Sequence, residues 1–581
     1  MVNSAMREND WFTHYFVDPI HQEQNLQLHE KIIDRSFTIL YGTRAFGKST
    51  RVLRTISQLE KEGYICSYVN FEQIGVFDTN FWSSLGTSIY VHNRGKLFKS
   101  CVEIKNSRDF LLFFSKATWE GPEDKRVVLF FDEFDKMYTI DEKIRNEFLQ
   151  ILRSIRNDIN SYAIQAIFAI GTFAILHIDS RFSEASNSNL TSPFNIKDSI
   201  HNPNFTLDQV QALYTEFGKD NIITIEMGVI QDIHTRTNGH AGLVCLCGRA
   251  IENHLISLLD NNRIISIDLW ERFSVNELIE EVIEYQTFRS LVQSLQSSKA
   301  KTALKFFREY FLPDADYEEK IVIDITSAEF LTAEGVLVPG RRAGSFKLSS
   351  SLVRWLILQR VIPKAFPSCP HNEVPFYNSG DLNILSTLEY AVSSFDRDII
   401  KLASIRSFKI ARVYVDGVLN RYVPRESVYD AELYRVLWNW LSINLGFQIT
   451  GQWHMISYRD DGNNRRQHNY SDIVITSRRQ KIVLELLATA TKGNLDEHFG
   501  RALNYARILS ANETWIVHFT CEDDFIFDPY WPSDDILRNG LNVLHIWHDL
   551  SFKKFKTIAC WWSNSKNFKR VTSIKTYPVQ G

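Results

Sequence analysis

The sequence lacks a charge excess, a cysteine framework and a hydrophobic run of membrane length. Lys and Arg total 65 against 69 Asp and Glu, a formal charge of −4. No global basic excess therefore marks a nucleic-acid binder, although a local basic patch is a separate quantity. The seven cysteines, Cys66, Cys101, Cys245, Cys247, Cys369, Cys521 and Cys560, are irregularly spaced and form no CxxC pair. That excludes a zinc ribbon or a disulfide scaffold and suits reduced thiols in a cytosol-like or nuclear compartment. The most apolar stretch, Tyr162 to Ile178, is interrupted by Gln165, Thr172 and His177. It is too short and too polar to span a bilayer. The opening MVNSAMRENDWFTHYF has no apolar h-region of a signal peptide. Internal repeats and low-complexity segments are also missing.

What is present is ample globular chain. At about 150 residues per domain, 581 residues predict three or four domains. A hydrophobic share of 44% with 23% charged residues fits packed cores and argues against wholesale disorder. After a polar, aromatic segment over 1–30, an α/β pattern runs over 31–205. Its strands are SFTILY, ICSYVNF, VVLFF and AIQAIFAIG, and helical runs separate them. Continuous apolar runs of this length suit parallel strands covered on both faces. A helical region follows over 206–300, and 301–362 reads as a winged helix around LTAEGVLVPGRRAGSFKLSS. Prolines 363, 367, 370 and 375 mark 363–384 as a linker. Residues 385–581 read as a second, smaller α/β unit. The expected fold class is thus a multidomain α/β protein with a parallel sheet at the front.

Gly42-Thr-Arg-Ala-Phe-Gly47-Lys48-Ser49 fits GxxxxGK[ST], between a predicted strand and a predicted helix. Gly42 and Gly47 let backbone N–H groups wrap phosphate oxygens. Lys48 is expected on the β and γ phosphates of ATP, and Ser49, followed by Thr50, on Mg²⁺ at the helix N-terminus. Val127–Phe131 leads directly into Asp132, a water-mediated Mg²⁺ ligand, and Glu133, a base for the attacking water. The later strand AIFAIGT ends at Thr172, which can sense the γ phosphate. Arg153, Arg156 and Arg181 all qualify as an arginine finger. GTRAFGKST, VLFFDEFDK, AIGT, SPFN with FTLDQV, and TNGHAGLV together resemble the STAND/AAA-like NTPases. That resemblance implies an NTP-driven switch, followed by a helical region and a winged helix, with oligomerisation through the NTPase domain.

The last third carries a second constellation. Asp472 in NYSDIVIT and Glu485 in KIVLELLAT lie on consecutive predicted strands, and Glu432 on the preceding helix. Carboxylates brought to one face favour a divalent cation, and Mg²⁺ between Asp472 and Glu485 could generate hydroxide. With His498, Arg501 and Tyr505 on the following helix, the arrangement resembles the PD-(D/E)XK nuclease fold. That pattern places lysine two residues after the strand glutamate, where this chain has Leu487. Lys481 shares the Glu485 face by the period of two, as does Thr489, and Lys492 lies just past the strand. Arg459, Arg465, Arg466 and His468 precede Asp472. Seven Lys or Arg between Lys553 and Lys575 alternate with Phe555, Trp561, Trp562 and Phe568. These can grip nucleic acid, DNA above all, or cover an aromatic core.

ELLATATKGNLDEHFGRALNYARILSANETWIVHFTCEDD, together with the upstream P-loop, resembles the Crinkler-type effectors over roughly residues 30–581. The resemblance implies an NTPase joined to a restriction-endonuclease-like domain, delivered by secretion to host cells and the host nucleus, with host proteins as further partners. The LFLAK-type header of that family is missing, so the chain as given reads as intracellular, in cytoplasm or nucleus, unless delivered. No membrane partner is expected. Two outcomes stay open for the last domain: a magnesium-dependent nuclease controlled by the ATP switch, or a catalytically silent domain that binds DNA or a host protein.

Overall fold

The computed structural model describes residues 5–74, 81–92, 103–119, 126–177, 192–313, 318–458, 466–563 and 568–579, without the side chains of 276, 452–458 and 466–472. The chain divides into two compact units: Met1–Ile265 with Glu329–Pro339, and Ser266–Ala328 with Gly340–Gly581.

The first unit is built on helix α1 (Glu23–Ile33), strand β1 (Phe37–Tyr41), helix α2 (Lys48–Lys61), strands β2 (Ile65–Asn70) and β3 (Val127–Asp132), helix α3 (Glu142–Asn157), and strands β4 (Ile164–Gly171) and β5 (Ile200–His201). The five strands are parallel, in the order β2-β3-β4-β1-β5. Side chains of alternate parity feed two separate cores. Phe37, Ile39, Leu129 and Phe131 join an aromatic cluster with Phe71, Trp82, Phe110 and Phe148. Leu40, Val128, Phe130 and Phe168 pack with Val52, Ile56 and Leu59 of α2 on the other face. Burial on both faces explains why these strands read as unbroken apolar runs. It also puts the loops after β1, β3 and β4 on one edge, where open parallel sheets present their chemistry. Helices α4 (Leu207–Asp220), α5 (Met227–Thr237) and α6 (Ala241–Ala250) follow. α4 opens with a reciprocal capping box between Thr206 and Gln209.

In the second unit, helix α7 (Lys301–Tyr310) precedes the short strand Lys320–Ile321, which pairs antiparallel with Ser345–Leu348. The boundary between the units falls inside this segment, which the sequence reads as one winged helix. The proline-rich stretch is fastened to its own unit: Phe366 and Ser368 carbonyls accept from Arg435, and the Asn372 carbonyl from Trp440. Next come an antiparallel pair, β6 (Phe408–Ile410) and β7 (Tyr422–Pro424), then α8 (Glu426–Leu437), β8 (Gln448–Tyr458), β9 (Arg466–Thr476), β10 (Lys481–Ala488), α9 (Lys492–Leu509) and β11 (Glu513–Thr520). After these run β12 (Leu541–His548), β13 (Lys554–Ser563), β14 (Phe568–Val571) and β15 (Lys575–Pro578). One mixed sheet contains β8 to β15. β8-β9-β10 form an antiparallel meander, and α9 crosses over so that β11 runs parallel to β10.

Two glycines carry opposite tests of this packing. Gly239 has φ +68, and a Cβ there would lie 2.1 Å from the Phe205 carbonyl oxygen, which is backbone. Gly500 sits within α9 with nothing within 4 Å of its Cβ position. Gly239→Ala is expected to cost about 2–4 kcal/mol, from strain plus overpacking. Gly500→Ala is expected to stabilise by about 0.5–1 kcal/mol. Thermal and urea melts of the full chain check both.

Candidate functional site

The loop between β1 and α2 is held from three directions. Asn202 donates to the Phe46 carbonyl at 2.6 Å, and its own backbone N–H reaches the Tyr41 carbonyl at 2.8 Å. Gly242, in the first turn of α6, donates to the Ala45 carbonyl at 2.9 Å, and the His240 ring packs on Phe46 with centroids 4.9 Å apart. His240 Nδ1 accepts from Leu243 N–H as the α6 cap, and burial holds the ring down to about 4, hence neutral. Ala45 adopts φ 54 and Gly47 φ 77, the left-handed turns that wrap the loop. α2 then starts with no side-chain cap and no acid in its first turn. A helix N-terminus left open in this way, behind a wrapped loop, fits an anion.

Lys48 is 8% exposed, and its ammonium donates to the Gly42 and Thr43 carbonyls at 3.2 and 2.6 Å. Burial lowers its pKa, against the pull of Glu133, Asp135 and Asp132. Ser49 Oγ donates to Asp132 Oδ2 at 2.6 Å, across the end of β4. Asp132 is 2% exposed, and its Oδ1 accepts the Glu133 N–H at 2.9 Å. Glu133 sits at φ 52, and burial, followed by the Asp132 charge, raises its pKa. A raised carboxyl beside the loop suits proton acceptance from water. Thr50 lies outside this group: its Oγ1 accepts the Met6 N–H at 3.2 Å.

Thr172 is 3% exposed. Its N–H donates to both Asp135 oxygens at 2.9 Å, while its Oγ1 accepts from Ala174 N–H. A Cβ on Gly171 would stand 2.2 Å from Asp135 Oδ1, so glycine there is what lets Asp135 approach the β4 end. Of the arginine-finger candidates, Arg156 donates to the Pro193 carbonyl at 2.8 Å. Arg153 Nε is buried and has no hydrogen-bond partner among the described residues, and Arg181 lies outside them. Sequence reasoning missed Asn202, Asp135 and Tyr68. The Tyr68 hydroxyl also donates to Asp132 Oδ2.

The second unit separates its two candidate glutamates. Glu432 does not face Glu485. It is 2% exposed and accepts from Arg308 Nη2 at 2.5 Å, from Arg435 Nη2 at 2.8 Å and from Asp396 N–H at 3.0 Å. Burial would raise its carboxyl, but Arg308 and then Arg435 overcome this and hold it down to about 2. A carboxylate saturated by two guanidinium groups has no capacity left for a metal, so the catalytic expectation for Glu432 is replaced by a structural ion-pair role.

Glu485 is 1% exposed, and its Oε1 faces His498 Nδ1 at 2.9 Å and Arg501 Nη2 at 3.3 Å. Its Oε2 is buried and has no hydrogen-bond partner among the described residues. Burial pushes the carboxyl up to about 8 against Arg501, and burial holds the His498 ring down to about 4. A buried carboxylate oxygen without a donor is what a divalent cation, or a proton, would satisfy. The helix glutamate whose charge meets this cluster is Glu426, at the start of α8. Its pKa is raised first by burial and is influenced by His498, Glu485 and Lys409. The side chain of Asp472 lies outside the described residues; its neighbour Ile473 pairs with Leu484. Among the described residues no group of three or more His, Cys, Asp or Glu is arranged to hold a metal ion.

Lys481 opens β10 four positions before Glu485, about 13 Å along the strand, and its backbone N–H donates to Asn512 Oδ1. Lys492 stacks its ammonium over Tyr530 at 5.5 Å. Thr489 Oγ1 accepts from Cys521 N–H, and Leu487 packs with Leu495 and Phe499. Besides Arg501, the charge of Lys409 on β6 meets the cluster; burial lowers its pKa and Glu426 raises it. Of the basic segment before Asp472, residues 459–465 and the side chains of Arg466 and His468 lie outside the described residues. In the C-terminal segment Phe555 is fully buried against Tyr577, Trp562 carries Arg538 at 4.5 Å, and Phe568 is exposed.

On the α9-covered face of the same sheet runs a directed hydrogen-bond chain. Ala490 N–H donates to His518 Nε2, so His518 carries its proton on Nδ1 and donates to His545 Nδ1 at 3.1 Å. His545 Nε2–H then donates to the Tyr530 carbonyl at 2.9 Å. Burial pushes both rings below the ordinary histidine range, His545 to about 4.

No family model matches the chain, and no curated protein matches it. Among solved structures, a Walker-type ATPase of Pyrococcus abyssi is similar at 12% identity and TM-score 0.38, over 61% of this chain and 99% of that one. The RuvB Holliday junction branch migration motor of Thermotoga maritima is similar at 14% identity and TM-score 0.31, over 59% and 95%. Cdc6p from Pyrobaculum aerophilum is similar at 14% and 0.32, over 59% and 93%. TM-scores this low fix neither family nor activity, so the site rests on its own residues. No helix among the described residues is long and apolar enough to cross a membrane.

Two stability consequences follow from the buried groups. Glu432→Gln leaves Arg308 and Arg435 short of a counter-charge and is expected to cost about 3–5 kcal/mol in urea unfolding. The folded pKa of Glu432 is depressed, so its contribution is complete above the unfolded carboxyl value. It disappears as pH falls from about 4 toward 2, and the glutamine variant is expected to flatten that acid limb. His545 also has a depressed folded pKa, but it is the neutral ring that is buried. The unfolded chain then takes up protons first, and stability falls as pH drops from about 6.5 toward 4. His545→Gln is expected to reduce that slope in pH-dependent melts.

Proposed function

We propose that the first unit binds ATP with Mg²⁺ and hydrolyses it, and that this cycle switches a DNA-directed, Mg²⁺-dependent nuclease in the last domain, in the manner of a Crinkler-type effector. The observation that carries the first half is the convergence of Lys48, Ser49, Asp132 and Glu133 at one edge of a parallel sheet, beside an uncapped helix N-terminus. Lys48 would leave the Gly42 and Thr43 carbonyls for phosphate oxygens. Ser49 and Asp132 would hold the metal, directly and through water. Bound magnesium supplies charge neutralisation at the phosphates. Glu133, raised by burial, takes the proton of the attacking water, and Thr172 stands at the end of the strand between Ser49 and Asp132. Oligomerisation through this unit belongs to the same reading.

Support for the second half is the helix–strand–strand–strand–helix–strand order of α8, β8, β9, β10, α9 and β11, with the orphaned Glu485 oxygen on β10. Asp472 and Glu485 would hold the cation, with Glu426, His498 and Lys409 around them. One observation favours a second reading, a domain that grips DNA or a host protein without cutting: the usual lysine position is a buried leucine. Secretion and the host nucleus remain attached to the Crinkler resemblance.

Lys48→Ala is expected to reduce ATP binding by at least tenfold and abolish turnover; unchanged turnover would refute the phosphate site. Plasmid cleavage with Mg²⁺ or Mn²⁺ is expected from the wild type and not from Asp472→Ala or Glu485→Ala. Salt-sensitive DNA binding without cleavage in all three selects the second reading.

A further inference from the structure

Asp132 Oδ2 accepts two hydroxyls, Ser49 Oγ from the start of α2 and Tyr68 OH from β2. Among the described residues, Oδ1 accepts only the N–H of the next residue, Glu133. The register explains how Tyr68 reaches this carboxylate. Tyr68 pairs with Phe130, so Asp132 is its diagonal neighbour two residues along β3, on the face that packs against α2. The phenol is half-buried, and burial first, then the Asp132 charge, pushes its pKa far above the usual tyrosine value, so it stays a donor. A carboxylate oxygen offers about two acceptor positions. Both positions on Oδ2 are filled, which leaves free capacity on Oδ1.

We infer that Tyr68 is a positioning residue for the magnesium–nucleotide state, an assignment that rests on the nucleotide reading above. Its hydroxyl pins Oδ2, so the carboxylate cannot rotate and presents Oδ1 to the water shell of the metal. Ser49 can meanwhile donate its proton to Oδ2 while turning its oxygen lone pairs to the metal. Phenylalanine at 68 would keep the ring and its packing but leave Asp132 held by one hydroxyl fewer. The strand residue thereby sets how much magnesium the site needs, without touching nucleotide.

The test is binding of a fluorescent ATP analogue to the full chain, in EDTA and across a Mg²⁺ titration. Tyr68→Phe is expected to leave affinity in EDTA within twofold and to raise the Mg²⁺ half-point about tenfold, the scale of one hydrogen bond to a charged acceptor. In an Asp132→Asn background the same substitution is expected to leave the half-point unchanged. Incorporating 3-fluorotyrosine at 68, which keeps the ring and sharpens the donor, is expected to move the half-point the other way. That arm decides the matter if the phenylalanine chain melts early. An unchanged half-point, or equal losses with and without Mg²⁺, overturns the assignment of Tyr68 alone. Failure of the wild type to bind the analogue overturns the nucleotide reading itself, and the inference with it.

Discussion

Asp132 lies almost out of reach of solvent, and two hydroxyls and one amide from three different segments meet on its carboxylate. An unpaired charge at that depth would cost several kcal/mol or lose its ionisation. The hydrogen bonds around Asp132 therefore fix where β2, β3 and the start of α2 stand relative to one another. The strand order adds the second constraint. With β4 between β1 and β3, the Ser49–Asp132 bond spans the end of β4, and on the other face of that strand end only a glycine at 171 leaves room for Asp135. Backbone sterics, strand order and one buried carboxylate thus specify the same edge.

The second unit treats two glutamates of equal burial in opposite ways. Glu432 receives two guanidinium groups and a backbone amide, so its charge is held far below the ordinary carboxylate range. Glu485 receives one arginine and a neutral histidine, and keeps one oxygen bare, so its carboxyl is driven up. A saturated carboxylate is architecture. A half-satisfied one stores free energy that a ligand can release.

The glycine loop and the Asp132–Glu133 pair were legible because their chemistry is local: spacing alone places them at a strand end and a helix start. Parallel strands were legible as apolar runs, since both faces are covered. Tyr68 carried no signal, because it is one alternate residue of a strand and its target lies on another. Glu426 was missed for a different reason. Residues 428 to 437 of α8 are buried on every side, so no amphipathic pattern shows which face meets the carboxylates, and Glu432 looked equally suited. Strand β8 escaped notice because QITGQWHMISY alternates poorly and contains a glycine. The face shared by Lys481 and Glu485 follows from the period of two, while the rise along the strand sets their separation at about 13 Å.

One turn into α2, Arg51 is 4% exposed, and its guanidinium meets three neutral amides, those of Asn202, Asn25 and Gln22. Burial depresses its pKa to about 10, still cationic in neutral solution. The loop thus sits over a deposit of positive charge that its amide neighbours solvate without neutralising. A polyanion arriving at the loop would act as the missing counterion of the fold, so occupancy and rigidity of this edge rise together.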